Sequence, residues 1–255
     1  GPSQQVMHAS DALDLIHELE HLMTVYKPTS EMSRVNAQAA NGAVSMDPRL
    51  FEILDRSREI CVDTKGGFDP SSGPLIALWR ECRLQGRIPT ENEISDCLSH
   101  TGIDQFEFDN LAHTIRYRSP QNELNLGGIG KGYALDQAGR FLLDQELEDW
   151  LFYGGFSSIL ARGTHNQLPG WPIGIKNPLF TSQRLGTILL KDCSMSTSGS
   201  SVQHFRHQGK RYGHILDPRK GWPVSELLSV TVIAPDAALA DALSTAFYVI
   251  GIEKA

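Results

Sequence analysis

Several features that would settle a protein's class at once are missing or scarce in this chain of 255 residues. No stretch approaches the ~18 uninterrupted apolar residues of a membrane-spanning helix, so none is expected within this sequence. Cysteine is scarce: Cys61, Cys82, Cys97 and Cys193 stand far apart with no CxxC pair. That speaks against a thiolate metal centre and against a disulfide scaffold, and predicts buried free thiols. Basic residues are outnumbered, 23 Lys and Arg against 30 Asp and Glu, for a net charge of −7. A nucleic-acid backbone as main partner wants the opposite balance. A phosphate-bearing small molecule stays open, because a local site can oppose the overall charge. Neither GxGxxG nor the P-loop pattern occurs. The histidines have no metal-ligand spacing, and His204 and His207 fall in a predicted strand that turns them to opposite faces.

What is present is ordinary globular composition, 40% hydrophobic and 21% charged, enough for a core of normal size. Gly1-Pro2-Ser3 reads as a remnant of tag removal and is set aside, leaving one domain over 4–255 with no internal repeat or linker. Compartment is not readable from such a start.

Leu13, Ile16, Leu19, Leu22 and Met23 at helical spacing predict a helix over 11–26 after the cap Ser10. The stretch from Tyr26 to Asn36 reads as irregular. Asp47-Pro48 supplies an N-cap and an N1 proline for a helix carrying Phe51, Leu54 and Cys61, stopped by Gly66-Gly67. Thr90 with Glu93 forms a capping box for a short helix ending by Gly102. Residues 106–108 and 115–117 predict a hairpin around Asp109-Asn110. Further strands are expected at 124–126, 151–160, 171–175, 185–190 and 227–233, with a hairpin over 206–215 around Gln208-Gly209. Helices follow at about 133–147 and, capped by Asp236, at 237–250 with Gly251 as stop. Helices early and antiparallel strands later predict an α+β fold rather than regular βαβ alternation.

Four places carry candidate chemistry. Asn125-Leu-Gly127-Gly128-Ile-Gly130-Lys131-Gly132 places four glycines and a lysine just before a helix. Glycines let backbone N–H groups approach an anion, the helix start adds partial positive charge, and Lys131 adds a full one. A tight turn with a solvated lysine is the other reading. Asp241 and Thr245 are i and i+4 on a small apolar helix, so their oxygens share a face and can hold a hard cation such as Mg²⁺. A solvated surface pair remains open. His214, before Asp217-Pro218, is either a general base or a turn histidine. Gly66-Gly67-Phe68-Asp69-Pro70 is a turn bearing an aromatic and an acid.

Taken in order, these segments resemble the ApbE family of FAD:protein FMN transferases, from about Met23 to Gly251. The matching pieces are Tyr26-Lys-Pro-Thr-Ser-Glu-Met-Ser-Arg-Val-Asn36, then Gly67-Phe-Asp-Pro-Ser-Ser-Gly-Pro-Leu75 with Leu78-Trp79. They continue with Gly127–Tyr133, Gly154-Gly155, Ser196-Thr-Ser-Gly199, His214-Ile-Leu-Asp-Pro218 and Asp241-Ala-Leu-Ser-Thr-Ala246. Each piece is weak alone; seven in family order are specific. The resemblance implies an α+β flavin transferase fold, mostly antiparallel sheets with helices, binding FAD in a cleft. It implies Mg²⁺-dependent transfer of FMN from FAD to a threonine or serine hydroxyl of an acceptor protein, releasing AMP. Some members hydrolyse FAD to FMN and AMP instead, and a catalytically inactive FAD-binding protein is the third reading. By the same resemblance Asp241, Thr245 and the Gly128 carbonyl are metal ligands, with Asp241 counted as catalytic. Lys131 contacts FAD and His214 takes the acceptor proton. Tyr26, Gly67, Phe68, Asp69, Asn125, Thr197, His214 and Ile215 are nucleotide-binding positions. A periplasmic or membrane-anchored place is implied, with the cytoplasm as alternative. The chain departs from the family in lacking a Met-Gly-Thr-like opening strand and a strand after the last helix. It has Asn125 where aspartate is common, Phe156 after Gly154-Gly155 where aspartate is usual, and Ser200-Ser201-Val202 after Gly199.

Overall fold

The computed structural model describes residues 2–155, 157–180, 182–200 and 204–253. In chain order the elements are α1 (Pro2–Met23), α2 (Glu31–Gln38), β1 (Val44–Ser45), α3 (Pro48–Asp63), α4 (Gly73–Leu84) and α5 (Glu91–Ser99). Then come β2 (Phe106–Asp109), β3 (Thr114–Tyr117), α6 (Gly130–Asp144), β4 (Trp150–Gly154), β5 (Ser158–Arg162), β6 (Trp171–Lys176) and β7 (Arg184–Leu190). The last are β8 (Cys193–Gly199), β9 (His204–His207), β10 (Lys210–Gly213), β11 (Leu216–Asp217), β12 (Trp222–Pro223), β13 (Ser229–Ala234) and α7 (Ala237–Ile250).

Three of the predicted N-caps are in place, whereas Ser10 lies inside a helix that already begins at Pro2. Asp47 accepts from the Arg49 N–H at the start of α3, Thr90 and Glu93 form a reciprocal capping box on α5, and Asp236 accepts from the Leu239 N–H on α7. Strand pairing among the described residues is antiparallel throughout, in agreement with the expected α+β class. The main sheet runs β13-β8-β5-β4, a smaller one runs β1-β3-β2, and β6-β7, β9-β10 and β11-β12 are two-stranded.

Several boundaries differ from expectation. Helix α1 begins at Pro2, so two residues of the tripeptide set aside belong to it, and Ala12 rather than Leu13 faces the core. Residues 31–38 are helical, because Ser30 caps them by accepting from the Ser33 N–H. Helix α4, opened by Gly73-Pro74, and strand β8 were not expected. Residues 151–160 are two strands folded at Gly155, whose φ of +70° suits glycine. Leu124 to Leu126 forms no ladder. The Asn36 side chain replaces a strand there, donating to the Leu124 carbonyl at 3.0 Å and accepting its N–H at 3.0 Å. All four cysteines are free, with Cys61 and Cys82 buried.

Two layers position the site. One face of the main sheet receives α6 and α7, where Leu160 meets Leu135 and Ala237. The other is covered in part by the β6-β7 ribbon, where Ile173 and Leu190 meet Ile159 and Met195. The largest apolar cluster joins α1, α2, α3, α6 and α7 through Leu19, Met32, Leu54, Tyr133 and Ala242. A separate aromatic cluster of Trp79, Phe205, Tyr212 and Trp222 seats the β9-β10 hairpin on α4.

Candidate functional site

Helices α6 and α7 approach so closely that Gly132 is obligatory: a β-carbon there would overlap the Ala237 carbonyl and lie 2.6 Å from the Ala238 nitrogen. The approach lets each helix close the other's N-terminus, where amide donors lack intrahelical partners. Asp136 of α6 accepts from the Ala237 and Ala238 N–H groups at 2.7 and 2.9 Å. Asp241 of α7 accepts from the Gly132 N–H at 2.8 Å. Both carboxylates are buried. Burial pushes the Asp136 carboxyl up to about 6, against the opposing pull of its two N–H donors.

Asp241 has further partners. The Ser158 and Ser196 hydroxyls donate to its Oδ1 at 2.5 and 2.6 Å, and Lys131 Nζ lies 3.4 Å from Oδ2. Lys131 is half exposed, so its ammonium spans from solvent to the buried carboxylate. The reading of Asp241 as a solvated surface acid is therefore excluded. Thr245, one turn along α7, lies 3.3 Å from Ser198 Oγ. A β-carbon at Gly128 would stand 3.7 Å from Thr245 Oγ1 and 3.1 Å from Phe68, so the glycine bend lies against both. Gly67 is pinned from behind, since a β-carbon there would lie 2.6 Å from Ile250 and 3.3 Å from the Ala246 carbonyl. Thus Gly67, Phe68, Gly128, Lys131, Asp241 and Thr245 gather where α6 begins and α7 passes.

Asn125 braces this corner. Its N–H donates to the Pro70 carbonyl at 2.7 Å, and its side-chain oxygen accepts from the Gly127 N–H at 2.8 Å. Asp69 Oδ1 accepts from the Ser71 N–H and hydroxyl at 2.8 and 2.6 Å, and burial raises its carboxyl above the ordinary range. Burial and the neighbouring Asp69 push the Cys61 thiol up to about 12, so it stays protonated and inert.

Other expected positions lie apart. Along β8 the Ser196 and Ser198 hydroxyls bond to α7 residues and Ser194 to the carbonyl of its N-cap Asp236, so the alternating Thr197 faces away from that helix. Thr197 pairs instead with Thr231 at 2.9 Å. The Ile215 side chain is buried against Tyr248 and Val249. Tyr26 is exposed between α1 and α2, with the Arg80 guanidinium 5.1 Å from its ring centre. His214 is exposed between β10 and β11, ahead of a turn that Arg219 locks by gripping Asp217 at 2.8 and 3.0 Å. Phe156, Ser201 and Val202 lie outside the described residues. Ser158 and Ser196 were not anticipated as site residues; the hydroxyl at every second position of β8 is the signal that points to one of them.

Among the described residues, no group of three or more His, Cys, Asp or Glu is placed to hold a metal ion. Taken together, Asp241, Thr245 and the Gly128 carbonyl would offer a cation one acid and two neutral oxygens. That chemistry suits Mg²⁺, which is held by one or two carboxylates and completes its shell with water and substrate phosphates. Among the described residues no helix is long and apolar enough to cross a membrane.

The ApbE family matches residues 3–255. The FAD:protein FMN transferase of Klebsiella pneumoniae (strain 342) is 32% identical over 248 residues, covering 96% of this chain and 76% of that one. The enzyme of the same name from Treponema pallidum is 29% identical, covering 99% and 74%. Among solved structures, the ApbE protein of Thermotoga maritima superposes with a TM-score of 0.89 at 31% identity, covering 96% of this chain and 79% of that one. The apo flavinyl transferase ApbE of Pseudomonas stutzeri gives 0.85 at 27%, covering 98% and 78%.

Proposed function

Because the chain belongs to the ApbE family, we propose that it transfers the FMN half of FAD to a threonine or serine hydroxyl of a target protein, releasing AMP. The observation that carries this reading is the buried Asp241 carboxylate, aimed at the glycine-lined start of α6 with Thr245 and Gly128 beside it.

Asp241 Oδ2, Thr245 Oγ1 and the Gly128 carbonyl would hold Mg²⁺, with Lys131 withdrawing from Oδ2. When bound, the cation neutralises charge on the pyrophosphate. The α6 N-terminus and Lys131 oppose the remaining phosphate charge, as helix starts do for anions. Tyr26, an exposed ring with the Arg80 guanidinium 5.1 Å from its centre, would border the flavin nucleotide. The Gly67–Asp69 turn, Asn125, Thr197, His214 and Ile215 complete the proposed lining, Phe68 and Ile215 through their backbones because their side chains are buried.

In the reaction, the acceptor hydroxyl oxygen attacks the phosphorus of the FMN half. The bond from that phosphorus to the bridging oxygen breaks, and AMP leaves with the electron pair. His214 takes the hydroxyl proton. In-line phosphoryl transfer of this kind depends on positioning and charge stabilisation.

The test is to incubate the protein with FAD, Mg²⁺ and the extracted proteins of its own source organism. Flavin fluorescence surviving denaturing electrophoresis, matched by AMP, is the expected result. AMP without protein-bound flavin would make the chain a pyrophosphatase, and FAD binding with neither product would make it a binding protein. His214→Ala should slow transfer far more than it weakens FAD binding, which stays largely intact, read by the fluorescent band against an FAD titration.

A further inference from the structure

Ser158 and Ser196 are direct cross-strand partners in the β5-β8 pair. Both point to the α7 face, and both are essentially sealed from solvent, at 0 and 2% exposure. Their hydroxyls converge on one atom, Oδ1 of Asp241, at 2.5 and 2.6 Å. A carboxylate oxygen offers two lone-pair sites, so Oδ1 is filled. On Oδ2 one site is taken by the Gly132 N–H at 2.8 Å. Among the described residues the remaining one has only the longer Lys131 contact of 3.4 Å, from a side chain with half its surface in solvent. The carboxylate is thus fixed in plane by three short bonds and left with one replaceable neighbour.

We propose that Ser158 and Ser196 are positioning residues that occupy Oδ1 so that Asp241 presents the single open lone pair of Oδ2 to a divalent cation, with Lys131 standing in for that cation when it is absent. The inference rests on the reading of Asp241 as a cation ligand. It adds that the ligating oxygen is Oδ2, that binding is monodentate, and that two hydroxyls outside the donor set determine affinity. Partners of a metal ligand commonly alter metal affinity by about ten- to a hundredfold when removed.

A control sits on the same strand. Ser194 is buried on the same face, at 0% exposure, but donates to the Asp236 carbonyl at 2.7 Å and not to Asp241. The experiment titrates Mn²⁺ into the full chain with FAD present, following free Mn²⁺ by electron paramagnetic resonance, with thermal unfolding recorded for every variant. Ser158→Ala and Ser196→Ala should each weaken Mn²⁺ binding by about tenfold or more, while Ser194→Ala binds Mn²⁺ as the wild type does. Should alanine prevent folding at either position, Ser158→Cys and Ser196→Cys keep the shape with a weak donor and should weaken binding likewise. Folded serine variants with wild-type Mn²⁺ affinity, or a Ser194→Ala that weakens binding equally, would overturn the inference. Asp241→Ala separates the two layers. If it binds Mn²⁺ normally, the cation reading itself falls; if it loses Mn²⁺ while the serine variants keep it, only the positioning role falls.

Discussion

The N-termini of α6 and α7 lie side by side, each closed by a carboxylate from the other helix, and they are closed to different degrees. At α7, Asp136 takes two N–H groups, Asp236 takes a third at 2.9 Å, and Arg56 holds Asp236 at 2.7 Å. That end is complete. At α6, Asp241 takes one N–H, and its remaining short bonds come from serines of the sheet. The Gly130 N–H turns back onto the Leu126 carbonyl at 2.7 Å, the Tyr133 N–H bonds the Ile129 carbonyl at 3.0 Å, and the N-cap Ile129 has no side-chain oxygen to cap the helix. The same device closes one helix fully, and at the other it is where the proposed cation and phosphate would bind. The two ends thus differ in what closes them: two carboxylates and an arginine at α7, one carboxylate shared with the sheet's serines at α6.

Substitutions at the two ends should therefore separate activity from stability. The largest effect is expected from Asp241→Ala, which should reduce flavin transfer by about a thousandfold or more, since a catalytic cation supplies several kcal/mol of transition-state stabilisation. Initial rates at saturating FAD check this, together with a melting curve that shows the variant still folded. Gly132→Ala strikes the contact both ends share. Its β-carbon has no space against Ala237, and overpacking of this kind should lower stability by about 3 kcal/mol, read from urea unfolding.

Asp136→Ala should mirror Asp241→Ala. It strips partners from two buried N–H groups and should lower stability by about 2 kcal/mol, while transfer by the folded enzyme continues. The pH dependence sharpens the contrast. The Asp136 carboxyl is raised from 3.8 to about 6 by burial, so the folded chain binds its proton more tightly than the unfolded chain does. Its contribution to stability is greatest below 3.8 and declines as pH rises to about 6. The stability difference between wild type and Asp136→Ala should accordingly be larger at the acid end of that window than at neutral pH. Equal differences across the window would contradict the assignment.

How much of this was legible in the sequence follows from what each signal is made of. Caps are local chemistry, so Asp47, Thr90 with Glu93, and Asp236 marked helices that are present. The hairpins at 106–117 and 204–213 carried turn residues between short strands. Strand β8 escaped because its buried face is not apolar. Ser194, Ser196 and Ser198 alternate inward and meet α7 through hydroxyls, so a search for hydrophobic alternation passes over them. One of the residues that hid the strand, Ser196, is also one that holds Asp241. The i, i+4 relation of Asp241 and Thr245 was readable, but the burial of Asp241 depends on Ser158, 83 residues away in the chain, and no local pattern carries that. The glycine cluster was readable as a bend opening a helix, whereas the need for Gly132 comes from the backbone at the start of α7 passing against it. The facing of Thr197, away from α7 and onto Thr231, was not readable for the same reason as β8: without the strand, its alternation with the serines could not be used.

The most direct test of the central claim is a crystal soaked with FAD and Mn²⁺, with anomalous scattering used to locate the cation. The account predicts a single peak about 2 Å from Asp241 Oδ2, as a monodentate carboxylate contact requires. Thr245 Oγ1, the Gly128 carbonyl and phosphate oxygens should complete its shell, with Lys131 moved off the carboxylate. A peak elsewhere, or FAD bound with its phosphates away from the start of α6, would contradict it.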